Sequence, residues 1–328
     1  MTAKQLNRAL LAIMVAISTG FLVRMTTDSP HHEPNDACTL DALEAIADGG
    51  TLSLDDDCVL MVTPAVTLTG DVTIQGGLLH SGGIDRVLII AEGANVTLTD
   101  TMVLSGAVEI EPRHGGGILN YGALTLVDSI VAANSALKGG GIYNAGNLVI
   151  VNSIIARNSA REGGGIYNTG TLSITDSLIE SNNVRFSESA DYGGYGAGLA
   201  NKGIATIVQT HIMSNRGDNE GIGIDTSGTL IMHHSVIMNN ICLADDCRGT
   251  GLFRYAGYVN ARYNYWGSAD GPGGDANGSG DSIINLDSDA YTPISNRHAG
   301  LKHPNGHHCR DAILGVRDQV SKYRKTHP

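Results

Sequence analysis

Positive charge is scarce in this chain. Its 328 residues hold 21 Lys and Arg against 33 Asp and Glu, a formal net charge of −12. Seven Lys/Arg and two Asp fall within residues 297–328, so that stretch carries +5 and leaves −17 on the rest. An acidic body argues against nucleic acid or anionic lipid as the main partner. Long apolar runs are also few. Residues 9–23 form a run of 15 closed by Arg24 and preceded by Lys4 and Arg8. That is short for a membrane span and long enough for the core of a secretory signal, so residues 1–24 read as a signal peptide or signal anchor. Contact with a membrane is expected only through residues 9–23, if they are not cleaved. Large aromatics are sparse too, with 3 Phe and 1 Trp, whereas Gly reaches 43. A Gly-rich chain without a long fixed period would read as a linker; here the period exists.

Residues 115–182 read GGGILNYGALTLVDSIVAANSALK, GGGIYNAGNLVIVNSIIARNSARE and GGGIYNTGTLSITDSLIESNN, a repeat of 24 residues opened by Gly115, Gly139 and Gly163. Three columns stay in register. The first is Asn120, Asn144, Asn168 and Asn201; the second is Ser129, Ser153, Ser177, Thr210 and Ser235; the third is Asn134, Asn158, Asn182, Asn215 and Asn240. A polar insertion at 184–192 accounts for the longer step from Gly163 to Gly196. Insertions of this kind collect in loops on one face of a solenoid. The unit is too short for two helices. Leu124/Leu126, Leu148/Ile150 and Leu172/Ile174 alternate as half-buried strands do, and Ile130-Val131, Ile154-Ile155 and Leu178-Ile179 read as a second short strand. Gly or Asn is expected at the bends, where positive φ is needed.

Strands stacked at roughly 4.8 Å per rung form a parallel β-helix, and the Asn and Ser columns become axial ladders with a structural role. The fold expected is all-β: a single-stranded right-handed parallel β-helix of roughly eight rungs between Leu52 and Trp266. Residues 38–296 would form it, after a linker at 25–37 and before a basic tail at 297–328, in which Ile313, Val316, Val320 and Tyr323 lie at helical spacing. That tail reads as a helix that docks on the body or stays loose. A short capping helix is expected from Thr39 to Ala47, with Leu40, Leu43 and Ala47 on one face and Gly49-Gly50 ending it. Such a cap covers the open end of a solenoid.

The GGGI openings, with an aliphatic residue three before each ladder Asn (Val131, Ile155, Ile179, Ile212, Ile237), resemble the repeats of chlamydial polymorphic outer-membrane proteins. They look closer to bacterial right-handed parallel β-helix repeat proteins of the pectin-lyase-like class. The Phe of the polymorphic repeat is Val or Ile throughout here. The segment CTLDALEAIADGGTLSL resembles the opening of CSLREA-type β-helix proteins, with LDALEA in place of the charged core. NYWGSADGPGGDANGSGDSI resembles a segment that closes such proteins.

Cysteine usage fits export. Cys38 and Cys58 bracket the first element, Cys242 and Cys247 sit five apart in a polar loop, and either pair can close in an oxidising compartment; Cys309 is left over. Candidate chemistry is thin. The positions before the ladder Ser (Asp100, Asp128, Asn152, Asp176, Gln209, His234) are expected to point outward from a strand. Asp128 and Asp176, two rungs and so roughly 9–10 Å apart, are the acid/base candidates. A repeating outward Asp is ordinarily a solvated strand face. Asp270, Asp275, Asn277 and Asp281 lie in a Gly-rich loop with oxygen ligands that suit Ca²⁺; no other cofactor is expected. His303, His307, His308 and Cys309 have ligand-like identities on the tail. Trp266 is expected to cover the core's end, with stacking on a sugar as the alternative. These features point to an exported, non-catalytic module, secreted or in the cell envelope, offering a long sheet face to a polysaccharide or another surface component. The resemblance implies the alternative, a polysaccharide lyase or glycoside hydrolase of the pectin-lyase-like class.

Overall fold

A computed structural model describes residues 37–108, 111–184, 194–244, 248–268, 270–274 and 279–284. Residues 1–24, expected to be a signal peptide or anchor, the expected linker up to residue 36, Cys247, Asp275, Asn277, residues 185–193, and the basic residues 297–328 with their His cluster and Cys309 lie outside them.

The chain forms a right-handed parallel β-helix of about eight turns. In the rung that opens at Gly115, Ile118–Asn120 belongs to sheet C, Ala123–Val127 to sheet A and Ile130–Ala132 to sheet B. Among the described residues sheet A has nine strands, B eight and C ten, and a fourth sheet, D, has four two-residue strands such as Ser159–Ala160 closing the last corner of later rungs. Among the described residues every pairing is parallel, and within the 24-residue repeat the strands keep its register: Leu124 lies beside Leu148, Ile130 beside Ile154 and Asn120 beside Asn144. Thr101 joins the Ser129 column across the longer coil, since Met102 pairs with Ile130.

Alternation in sheet A turns Leu124, Leu126, Leu148, Ile150, Leu172 and Ile174 into the bore, where all are buried. Sheets B and C add Val131, Ile155 and Ile142 to the same continuous core. Trp266 closes the C-terminal end with no exposed surface. The opposite end is capped by helix α1, Leu40–Ala45, shorter than the stretch expected because Ile46 already leaves helical geometry. Thr39 is its N-cap, and its side chain accepts from the Ala42 amide at 3.2 Å. Leu43 is fully buried, and Leu40, Ile46 and Ala47 pack beside it on the core.

The corners depart from expectation. Gly139 does sit at φ 63°, where a Cβ would fall 2.3 Å from the Ile142 carbonyl oxygen, and a Cβ on Gly146 would meet the Gly122 oxygen at 2.0 Å. The other two corners, however, use non-Gly residues in the left-handed region: Asp128, Asn152 and Asp176 before sheet B, and Ala133, Arg157 and Ser181 after it. Each such residue costs about 1–2 kcal/mol. The corner persists because the next residue is clamped on both sides, so its ladder overrides local preference.

Cys38 and Cys58 form a disulfide, 20 residues apart, that ties α1 to the second strand of the coil. Cys242 is also disulfide-bonded, and its expected partner Cys247 lies outside the described residues. Loop closure of this length is worth about 3 kcal/mol in the unfolded chain. The double replacement Cys38→Ser/Cys58→Ser is therefore expected to lower stability by about that much, read by chemical denaturation of the oxidised protein. An unchanged midpoint would mean that the cap contributes nothing to the cooperative unit.

Candidate functional site

The two Asn columns run as side-chain chains along the axis. Asn134 Nδ2 donates to Asn158 Oδ1 at 3.0 Å, Asn158 to Asn182 at 3.0 Å, Asn182 to Asn215 at 3.1 Å and Asn215 to Asn240 at 3.0 Å. Asn120, Asn144, Asn168 and Asn201 are linked likewise at 2.7–2.8 Å, and Asn201 ends on Thr226 Oγ1 at 3.1 Å. The Ser column works differently. Its hydroxyls accept from the backbone of the previous rung, as Ser153 Oγ does from the Ser129 amide at 3.0 Å, and donate to their own strand's carbonyl. All three columns are buried. Their bonds run along the axis from rung to rung.

The candidate catalytic carboxylates are not on a strand face. Asp128 and Asp176 occupy the left-handed corner between sheets A and B, with φ 52° at each. Asn152 stands between them in the column, and its amide donates to Asp128 Oδ1. The expectation of an outward strand position fails because a corner, not an alternating strand, precedes the ladder Ser. Of the four oxygen-ligand candidates, Asp275 and Asn277 lie outside the described residues, and the other two, Asp270 and Asp281, are held by different partners. Asp270 accepts from Ser268 Oγ and from the Ser279 amide and hydroxyl at 3.2 and 2.9 Å, and these bonds hold its carboxyl down at about 2. Asp281 is drawn elsewhere: its Oδ2 accepts from Asn240 Nδ2 at 2.7 Å and from the Asn240 amide at 3.0 Å. It is the terminal acceptor of the Asn134–Asn240 ladder. No group of three or more His, Cys, Asp and Glu gathers as a metal site among the described residues. Trp266 is sealed in the core and offers no face to a sugar.

Burial pushes the Asp281 carboxyl up, against the amide donors of Asn240 that favour its charge. A raised carboxyl contributes stability that is complete below the unfolded value and lost as pH rises through the folded one. Asp281→Asn keeps an acceptor for Asn240 and removes the buried charge. It is expected to raise the thermal midpoint at pH 7 by about 2 °C and to change it little near pH 4. A parallel loss at both pH values would show that the carboxylate is needed as an ion.

A cluster on the outer side of sheet C went unnoticed in the sequence. Lys138 Nζ lies 3.3 Å from Glu162 Oε1, 3.4 Å from Tyr167 Oη and 4.9 Å above the Tyr167 ring centroid. His114, Tyr143 and Tyr167 stack in sequence with centroids 4.5 and 5.3 Å apart. Farther along, Lys202 Nζ pairs with Asp225 Oδ1 at 3.0 Å, and Arg248 pairs with Glu220. Burial pushes Asp225 up despite Lys202, and pushes Tyr167 up with help from Glu162. Burial also opposes the Lys138 charge, but Glu162 and Tyr167 outweigh it and raise the ammonium. The signal that could have found this cluster is the column just before each opening Gly (His114, Lys138, Glu162, Tyr195, Glu220, Arg248) read beside the column before Asn120, Asn144, Asn168, Asn201 and Thr226 (Leu119, Tyr143, Tyr167, Ala200, Asp225). Acids, bases and rings are already matched to one another there, and beside it Gly194 donates to the Arg161 carbonyl at 2.7 Å.

The outer face of sheet A is of another kind. Its strands repeat an outward–inward–outward pattern, and the central outward column reads Thr73, Thr97, Thr125, Val149, Ser173 and Thr206. Across the five-residue strands from Asp71 to His233, Asp71 is the one outward carboxylate and no Lys or Arg occurs. In a chain that is 16% charged, this leaves a flat, nearly neutral surface of hydroxyls, methyls and amides.

No protein-family model matches the chain, and no curated protein matches it. Among solved structures, the crystal structure of pectate lyase Pel9A is similar over 74% of this chain and 69% of its own, at 11% identity and a TM-score of 0.38. No residue role is carried over from it.

Proposed function

We propose that the chain is an exported, non-catalytic β-helix whose sheet A face binds a neutral polysaccharide or a similar uncharged surface component outside the cytoplasm. The observation that carries this reading is the contrast between that face and the rest of the molecule. Charged side chains are the default on solvated strands, because they keep a broad sheet soluble and discourage edge pairing. Nine strands with one outward carboxylate leave a platform whose Thr, Ser and Asn groups can hydrogen-bond hydroxyls while their methyls pack on sugar rings. Rigid backbone ladders hold those groups in a regular array, which lowers the ordering cost on binding. The Cys38–Cys58 disulfide is consistent with an oxidising compartment, and the motif likeness to polymorphic and CSLREA-type proteins supports export.

Glycan-array binding tests the reading. Thr125→Glu/Ser173→Glu, placed at the centre of the face, is expected to abolish binding to neutral glycans while the thermal midpoint moves by less than about 2 °C. Binding unaffected by that pair removes the face from consideration. The second reading, a polysaccharide lyase or glycoside hydrolase, is favoured by the Lys138–Glu162–Tyr167 group, which sets a base and an acid beside a phenol. Release assays on pectin, alginate and chondroitin decide it. Turnover lost in Glu162→Gln places it in that group, and turnover lost in Asp128→Asn or Asp176→Asn places it at the corner column.

A further inference from the structure

The outer face of sheet A is more regular than a flexible glycan needs. Its five strands from Asn95–Thr99 to Ile204–Val208 pair residue for residue without a shift of register. Each strand has outward residues at its third and fifth places. Of these ten residues, nine are Thr or Val and the tenth is Ser173. None of the ten is buried, and no residue of the five strands is charged. The outer residues of sheet B differ: Leu78, Met102 and Leu104 are dry.

Two devices keep these rows in place. The Asn120 column precedes each sheet A strand and the Ser129 column follows it, so each strand is tied to the next at both ends. Side-chain ladders of this kind hold a parallel stack flat against its tendency to twist. Thr and Val are also stiff at χ1, so the outward groups keep fixed positions. The result is a rigid grid with about 4.8 Å between rows and about 7 Å between columns, extending about 19 Å along the axis. A ligand that used the whole grid would have to repeat at both spacings. It would also have to be uncharged, to match a neutral patch on a chain whose net charge is −12.

We propose that this part of sheet A is an ice-binding surface. Crystalline water is neutral, and the oxygen rows on the prism face of hexagonal ice repeat close to both intervals of the grid. Thr hydroxyls donate to and accept from water, so they can stand in for lattice positions. The methyls of Thr and Val restrict the orientations of the water beside them, which brings that layer nearer to the order of the solid. A fixed charge would draw the same water out of tetrahedral order, and the five strands carry none. Each contact is weak, but a rigid array makes them together and gives up little freedom in doing so. The glycan reading uses the same face through its hydroxyl chemistry. The present one depends on the spacing, and its test contains no carbohydrate, so either can fail without the other.

The full chain is tested by growing an ice crystal slowly from a dilute solution and measuring the protein taken up by the solid. The gap between melting and freezing temperatures is read on the same sample. Uptake into the ice together with an open gap is expected, and exclusion from the solid without a gap would overturn the proposal. Thr125→Tyr/Thr175→Tyr raises two rings out of the grid without adding charge, and is expected to reduce uptake about tenfold. Thr125→Val/Thr175→Val keeps both side-chain shapes and is expected to retain at least about half of it. Equal losses in the two pairs would refute the match of spacing. Ile84→Tyr adds a ring at an exposed position between sheets B and C, away from the grid, and is expected to leave uptake unchanged. A loss there as large as in the Tyr pair would show that sheet A is not the surface involved.

Discussion

Replacing Asn158 with alanine is expected to lower stability by roughly 3–5 kcal/mol, out of proportion to the few atoms removed. The residue is the second of five Asn in the longer ladder and is fully buried. Its Oδ1 accepts from both the amide and the side chain of Asn134 at 3.0 Å, and its Nδ2 donates to Asn182 Oδ1 and to the Val131 carbonyl, again at 3.0 Å. Alanine leaves the Asn134 amide without an acceptor in a dry site, which alone costs about 1–3 kcal/mol. It also breaks the axial chain into two pieces, so mutual polarisation along it is lost. Ser153→Ala is the control. That hydroxyl accepts one amide and returns one bond to Val151, so the expected loss is about 1–2 kcal/mol. Equilibrium denaturation measures both. Equal effects would mean that the side-chain chain adds nothing beyond its separate bonds.

Trp266→Ala is the second large effect, at about 4 kcal/mol. The indole is the largest fully buried side chain and closes the C-terminal end of the bore. Its carbonyl also receives the Asp281 amide at 2.7 Å, which holds the last strand over the ladder's end. In a solenoid each rung contacts only its neighbours, so the damage should be local. Amides of Leu252–Arg254 and Tyr258–Asn260 are expected to lose protection first, while those of Asn147–Val151 keep theirs. The indole Nε1 is buried without a hydrogen-bond partner among the described residues. Trp266→Phe therefore gives up area but relieves an unsatisfied donor, and its cost is expected at about 1 kcal/mol or less. Protection lost evenly along the coil after Trp266→Ala would show a global unfolding unit rather than a stack of rungs.

The candidate site was far less legible than the coil. Carboxylates at a fixed spacing, such as Asp128 and Asp176, invite an acid/base reading, yet a corner residue and an outward strand residue look alike when only the interval is known. Asp281 was grouped with Asp270 by proximity in the chain, whereas its partner, Asn240, is 41 residues away. The Lys138–Glu162–Tyr167 group is spread over two rungs and two columns, and no local motif announces it. Sheet A's neutrality is the opposite case. It can be read from the strand sequences, but only once their outward positions are known.

The 24-residue interval by itself determined the stacking, the register and the burial of the Asn and Ser columns, because a side chain that recurs once per turn must lie over its own copies. Composition and the alternation of Leu and Ile determined which side of sheet A is wet. Only the tertiary structure decided where each turn bends, since a clamped neighbour can force Asp, Ala or Arg into a conformation that local preference reserves for Gly. It alone decided which charges pair and that the outer side of sheet B is dry, because both depend on distances between columns, and those come from how the coil closes rather than from spacing along the chain.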